Sequence, residues 1–132
     1  MNSNHIVQAK TIGYVRSGTQ DPDSEKSLLE QVSRIKAAGV NTIICDFASA
    51  SDVDRQGLKI LLKLVKKGKI GKIVVTRWDR LARSSELCIE LLDTFKLSNT
   101  RILFLDQGEV CFSVKESDSW SFLNSIFQKQ NC

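Results

Sequence analysis

The chain is 132 residues long, 42% hydrophobic and 26% charged, with a formal net charge of +4; this suits one globular domain with a core of its own and excludes collagen-like and disordered chains. No run of about 18 apolar residues occurs, which excludes a membrane-spanning helix, and "MNSNHIVQAK" lacks the basic segment and apolar run of a secretory signal. Cys45, Cys88, Cys111 and Cys132 form no CxxC pair and His5 is the only histidine, so buried reduced thiols in a cytoplasmic protein are expected rather than disulfides or a metal centre.

After a polar leader over residues 1 to 10, the first strand is "KTIGYVR" (10 to 16). The polar loop "TQDPDSEKS" leads to a helix over 24 to 38, where Leu28, Val32 and Ile35 share a face and Gly39 follows as a stop. "NTIICD" (41 to 46) is the second strand. Leu58, Leu61, Leu62 and Val65 then repeat at helical spacing, and this helix ends near Gly68. "KIVVTR" (72 to 77) is the third strand, and a helix from about 84 to 98 offers Leu87, Leu91, Leu92 and Phe95 as its buried stripe. "RILFL" (101 to 105) is the fourth strand, and "EVCFSV" (109 to 114) alternates as an edge strand would after a turn at Gly108. "DSWSFLNSIFQKQ" has Trp120, Leu123 and Phe127 on one face and reads as the opening of a helix. Near-continuous apolar strands alternating with helices predict an α/β domain with a mainly parallel sheet covered on both faces. The chemistry of such a domain is expected where loops leave the carboxyl edge of the sheet.

Between Arg55 and Arg83 there are ten basic residues against one acid, Asp79. That bias points to a polyanion partner; a solvated helix face followed by a lysine-rich turn is the plainer reading. The residues leaving the strand ends are Arg16, Ser17 and Gly18, then Asp46, Ser49, Ser51, Asp54 and Arg55, then Arg77, Asp79, Arg80 and Arg83. Arginine stays charged, so three arginines around one aspartate ask for an anion unless they form a surface salt-bridge cluster. A helix opening after Asp79 would set Arg80 and Arg83 on one face to grip a phosphate, with Arg16 opposite. Planar guanidinium groups suit a transferring phosphoryl centre, and Asp79 is placed to orient an arginine or pass a proton. Neither GxxxxGK[ST] nor GxGxxG is present, and Ser17 has no histidine partner.

"GYVRSGTQ", "SLLEQ" (27 to 31), "DFASASDVDRQGLKILL" (46 to 62) and "VTRWDRLARS" (75 to 84) together resemble the catalytic domain of the serine recombinases, the resolvase and invertase group. The likeness runs in order over roughly residues 11 to 127, and DRLxRS at 79 to 84 is its most specific part. It implies a three-layer resolvase-like fold: a mainly parallel sheet of about five strands, the last a candidate for antiparallel pairing, flanked by helices. It also implies that a serine attacks a DNA phosphate, forms a 5′-phosphoserine link and exchanges strands within a synaptic tetramer, without metal, ATP or another cofactor. The partners expected are DNA and a second copy of the chain, with no membrane. By resemblance Arg16, Arg55, Arg80 and Arg83 bind the phosphate, Asp79 is their acidic partner, Gln31 lies near the scissile phosphate, and Tyr14 belongs to the same pocket.

Two departures from the family pattern matter. The motif Tyr-x-Arg-x-Ser falls on Tyr14, Arg16 and Gly18, so the nucleophile's position holds glycine. Ser17 is the candidate nucleophile, one residue displaced. Strand alternation turns it away from the face of Arg16 unless Gly18 permits a bulge; Ser49 and Ser51 are minor alternatives. Secondly, residues 11 to 116 make the catalytic domain and 117 to 132 only the start of a dimerisation-type helix, with no DNA-binding domain. The leading expectation is therefore a recombinase catalytic domain with an impaired nucleophile. The alternatives are an inactive relative that regulates a recombinase by binding it or its DNA, and an unrelated phosphate-binding α/β domain.

Overall fold

The computed structural model describes residues 9–17, 22–47, 55–82 and 84–110. Their elements in chain order are β1 (Lys10–Ser17), α1 (Pro22–Ala37), β2 (Ile43–Phe47), α2 (Gln56–Lys66), β3 (Ile70–Val75), α3 (Trp78–Leu81), α4 (Ser85–Leu97), β4 (Arg101–Phe104) and β5 (Gly108–Glu109). The strands form one five-stranded sheet in the order β2-β1-β3-β4-β5. All neighbours are parallel except β4 and β5, which pair antiparallel.

The chain steps from β1 to β2 in one direction across the sheet and from β2 to β3 and β4 in the other. Right-handed crossovers put helices on opposite faces when the direction reverses. Accordingly Leu28 and Ile35 of α1 pack with Val15 and Val74 on one face. Leu58, Leu61 and Val65 of α2, Leu81 of α3 and Leu91, Leu92 and Phe95 of α4 pack with Ile12, Tyr14, Ile73, Val75, Ile102 and Phe104 on the other. The result is a three-layer α/β fold whose strand order reverses at β1, opening a crevice between the carboxyl ends of β1 and β3.

Two glycines permit the close helix approaches. A Cβ on Gly13 would lie 2.6 Å from Ile35 Cγ2, so its absence lets α1 settle on β1. A Cβ on Gly57 would lie 2.7 Å from Ile44 Cγ2 and 2.8 Å from Asp46 Oδ1, so α2 docks on β2 only because residue 57 has no side chain.

The structure corrects several sequence expectations. The third strand begins two residues early, at Ile70, and ends at Val75, because Arg77 already caps α3. No continuous helix joins Arg80 to Arg83: α3 ends at Leu81 and Ala82 is extended (φ −142°, ψ 148°). Ser84 starts α4 anew, its hydroxyl accepting a bond from Leu87 N at 3.1 Å as an N-cap. Cys88 is buried as expected, but Cys45 is exposed because β2 is an edge strand. Residues 1–8, the end of the expected fifth strand at 111–114, and 117–132 lie outside the described residues, and among those described no helix is long and apolar enough to cross a membrane.

Candidate active site

Arg16, the last but one residue of the buried run of β1, points to the α2–α4 side, the side Tyr14 shares by strand alternation. A four-residue helix such as α3 leaves carbonyls without helical partners, and the Arg16 guanidinium takes them. Nη2 donates to Asp79 O at 2.8 Å and Nε to Arg80 O at 3.3 Å. One side chain therefore ties β1 to the turn that carries Asp79 and Arg80.

From the other face Gln31 of α1 grips the same residue by its backbone. Its Oε1 accepts from Arg16 N at 3.3 Å and its Nε2 donates to Arg16 O at 3.1 Å. Gln31 is buried, so it acts here as a clamp on the strand end rather than a group open to ligand. One helical turn earlier, Ser27 Oγ accepts from Arg80 Nη2 at 3.1 Å and lies 3.5 Å from Gln31 Nε2. Ser27 opens the "SLLEQ" segment, and nothing in the sequence alone marks its role. Thus β1, α1 and α3 converge on Arg16 and Arg80 at the point where strand order reverses.

Beneath them lies a buried polar chain. The Tyr14 hydroxyl donates to Asp46 Oδ2 at 2.6 Å and accepts from Arg55 Nη2 at 2.6 Å and Nε at 3.1 Å. The Arg55 guanidinium also sits 5.3 Å from the Tyr14 ring centroid. Asp46 accepts from Gly57 N at 2.6 Å and Leu58 N at 2.8 Å, which anchors the start of α2 where the backbone amides have no helical acceptors. Burial, and then the bond to Asp46, push the Tyr14 phenol far above its ordinary range. Arg55 was expected at the phosphate; it is 1% exposed and its guanidinium serves Tyr14. Asp46, collected with the loop residues but given no function, is the acid that completes this chain.

Asp79 was expected as the acidic partner of the arginine cluster. Its carboxylate instead pairs with Arg77 at 3.3 Å on the surface, and only its carbonyl serves Arg16. Arg77 also reaches Asp106 at 3.9 Å, which Arg34 holds at 2.6 Å. Ser17 is 1% exposed and pairs with Phe47 in an unbroken β1–β2 register from Gly13 onward. Alternation sends it to the α1 side with Val15, so no bulge turns it toward Arg16 up to that residue. Gly18, Ser49, Ser51, Asp54 and Arg83 lie outside the described residues.

Two arginines are thus tied to carbonyls and a hydroxyl at a sheet switch point, above a buried Asp–Tyr–Arg chain. The family model for the resolvase N-terminal domain matches residues 11–127. The chain belongs to the resolvase N-terminal domain family. It is 37% identical over 101 residues to the Tn3 transposon resolvase of Escherichia coli, covering 75% of this chain and 51% of that protein. It is 32% identical over 120 residues to the Tn501 transposon resolvase of Pseudomonas aeruginosa, covering 91% and 59%. The chain therefore spans little more than half the length of these relatives. In fold it is similar to a resolvase-family site-specific recombinase from Streptococcus pneumoniae, with a TM-score of 0.65 at 21% identity over 90% of this chain and 85% of that one.

Proposed function

We propose that this chain is the catalytic domain of a site-specific DNA recombinase of the serine type, in which the nucleophile rests out of place. The observation that carries the reading is the corner itself: Arg16 and Arg80, fixed by three elements at the switch point of a resolvase-family domain. Arg80 and Arg83 grip the scissile phosphate, Arg16 braces their turn, and Arg55 acts through Tyr14. Fixed guanidinium groups stabilise charge on a phosphoryl centre without reorganising during the reaction. Chemistry then needs a serine oxygen within about 3.5 Å of phosphorus, in line with the leaving 3′ oxygen. Ser17 meets that requirement only if the end of β1 leaves its register, so cleavage by the parent is weak. Self-association through the aromatic stripe of residues 117–132 belongs to the same reading, and replacing Leu123 and Phe127 with Asp shifts sedimentation toward monomer.

The test is a nicked suicide DNA substrate scored for a covalent protein–DNA adduct, using the chain joined to a sequence-specific DNA-binding module. The expected result is little adduct from the parent, none from Ser17→Ala, and a clear gain from Gly18→Ser, which restores the family's position. Abundant parental adduct that vanishes in Ser17→Ala would show that β1 does release Ser17. Absence of adduct from all three proteins overturns the recombinase reading.

A further inference from the structure

Of the ten cations from Arg55 to Arg83, the nine within the described residues separate into two groups. Arg55 is buried against Tyr14, Arg77 pairs with Asp79 and Asp106, Lys72 pairs with Glu109, and Arg80 is held by Ser27. Lys59, Lys63, Lys66, Lys67 and Lys69 are all exposed and make no ion pair among the described residues.

The pattern of α2 explains the arrangement. Its buried residues Gly57, Leu58, Leu61 and Val65 share one side. At about 100° per residue, Lys59, Lys63 and Lys66 fall on the opposite side. Lys67 and Lys69 extend the row through the turn into β3, and α2 itself contains no acid. Lysines three and four apart repel one another, so this row gains stability from an external anion. Elsewhere Arg34, Arg77, Lys72 and Arg101 are each neutralised within the chain. The row also has a fixed relation to the arginine corner, because Asp46 and Arg55 pin the start of α2 beside Tyr14. From Lys59, one turn beyond Arg55, the row continues to Lys66 over roughly 10 Å at 1.5 Å per residue.

Resting on the DNA reading above, we propose that the outward face of α2 is a second phosphate-binding track, which holds the backbone of duplex DNA beside the arginine corner. Duplex DNA carries one charge per about 1.7 Å of axis, which an evenly spaced single-sign row can follow. An acidic protein partner is disfavoured, because protein interfaces are depleted of lysine and centred on aromatic anchors. Among the described residues of α2 only Ile60 is a large exposed apolar side chain.

The test measures binding of a short duplex of unrelated sequence across a salt series, for the parent, the triple variant K59Q/K63Q/K66Q, and Arg80→Ala. The triple variant is expected to keep the parental melting temperature, since all three residues are exposed, and to lower the slope of log K against log salt by about three, with Arg80→Ala lowering it by about one. A triple variant with the parental slope and affinity overturns the track; if Arg80→Ala still weakens binding, the DNA reading stands without it. A parent with no salt-dependent binding overturns both.

Discussion

The Tyr14 hydroxyl accepts a hydrogen bond from the Arg55 guanidinium and donates one to Asp46, so one oxygen reconciles two buried charges. Removing it in Tyr14→Phe leaves both groups buried with a bond missing, for an expected loss of about 1–3 kcal/mol in urea unfolding. A large drop in salt-dependent phosphate binding should accompany it only if Arg55 acts through Tyr14, so both measurements belong together. Alkali supplies a second residue-scale prediction. Burial pushes the Cys88 thiol from its ordinary 9.0 up to about 12, and Tyr14 is shifted in the same direction. A group whose folded pKa is raised stabilises fully below its unfolded pKa and ceases to do so as pH rises toward the folded value. Unfolding free energy should therefore fall above pH 9.0 and through about 12, and Cys88→Val should flatten the early part of that fall. An unchanged alkaline profile in Cys88→Val would mean that the thiol ionises alike in both states.

Helix docking sets the site at the next scale. Gly57 brings α2 within reach of Asp46, and Gly57→Ala would place a methyl 2.8 Å from Asp46 Oδ1. Overpacking of this kind costs about 1–3 kcal/mol. It should also loosen the bonds from Gly57 N and Leu58 N, read as faster hydrogen exchange at those two amides; exchange at the parental rate would mean that Ile44 alone yields. Gln31 holds β1 through both polar groups of Arg16, so Gln31→Ala should speed exchange at the Arg16 amide while the α2 amides keep their rate. The longer elements were legible in the sequence because Leu28, Val32 and Ile35, and Leu58, Leu61 and Val65, repeat with helical period. The four-residue helix α3 was not, since one turn carries no period, and the helix expected to run on from Arg80 stops at Leu81. Ser27 and Asp46 were obscure for a different reason. Their roles depend on contacts 53 and 32 residues away in sequence, which only the packed sheet brings together.

Across the whole molecule, the reversal of strand order at β1 is what brings Arg16 and Arg80, far apart in sequence, to one place. It puts the ends of β1 and β3 side by side with no strand between them, and α1 and α3 close the crevice from opposite faces. Charge is then divided by position: Arg16 and Arg80 at the crevice, the lysine row along α2, and ion pairs such as Arg34–Asp106 and Arg101–Glu109 elsewhere. A single small anion should distinguish the first two, because it fills the corner but cannot bridge a row about 10 Å long. Inorganic phosphate should raise the melting temperature of the parent, by about 2.7 kcal/mol of added stability at one hundred times its dissociation constant. Phosphate also stabilises proteins by exclusion from their surface, a contribution that all variants share. Arg80→Ala should retain only this shared part, whereas K59Q/K63Q/K66Q should respond as the parent does. Equal responses from the parent and Arg80→Ala would reduce the corner to a structural joint between β1, α1 and α3, with its guanidinium groups serving carbonyls and Ser27 rather than a ligand.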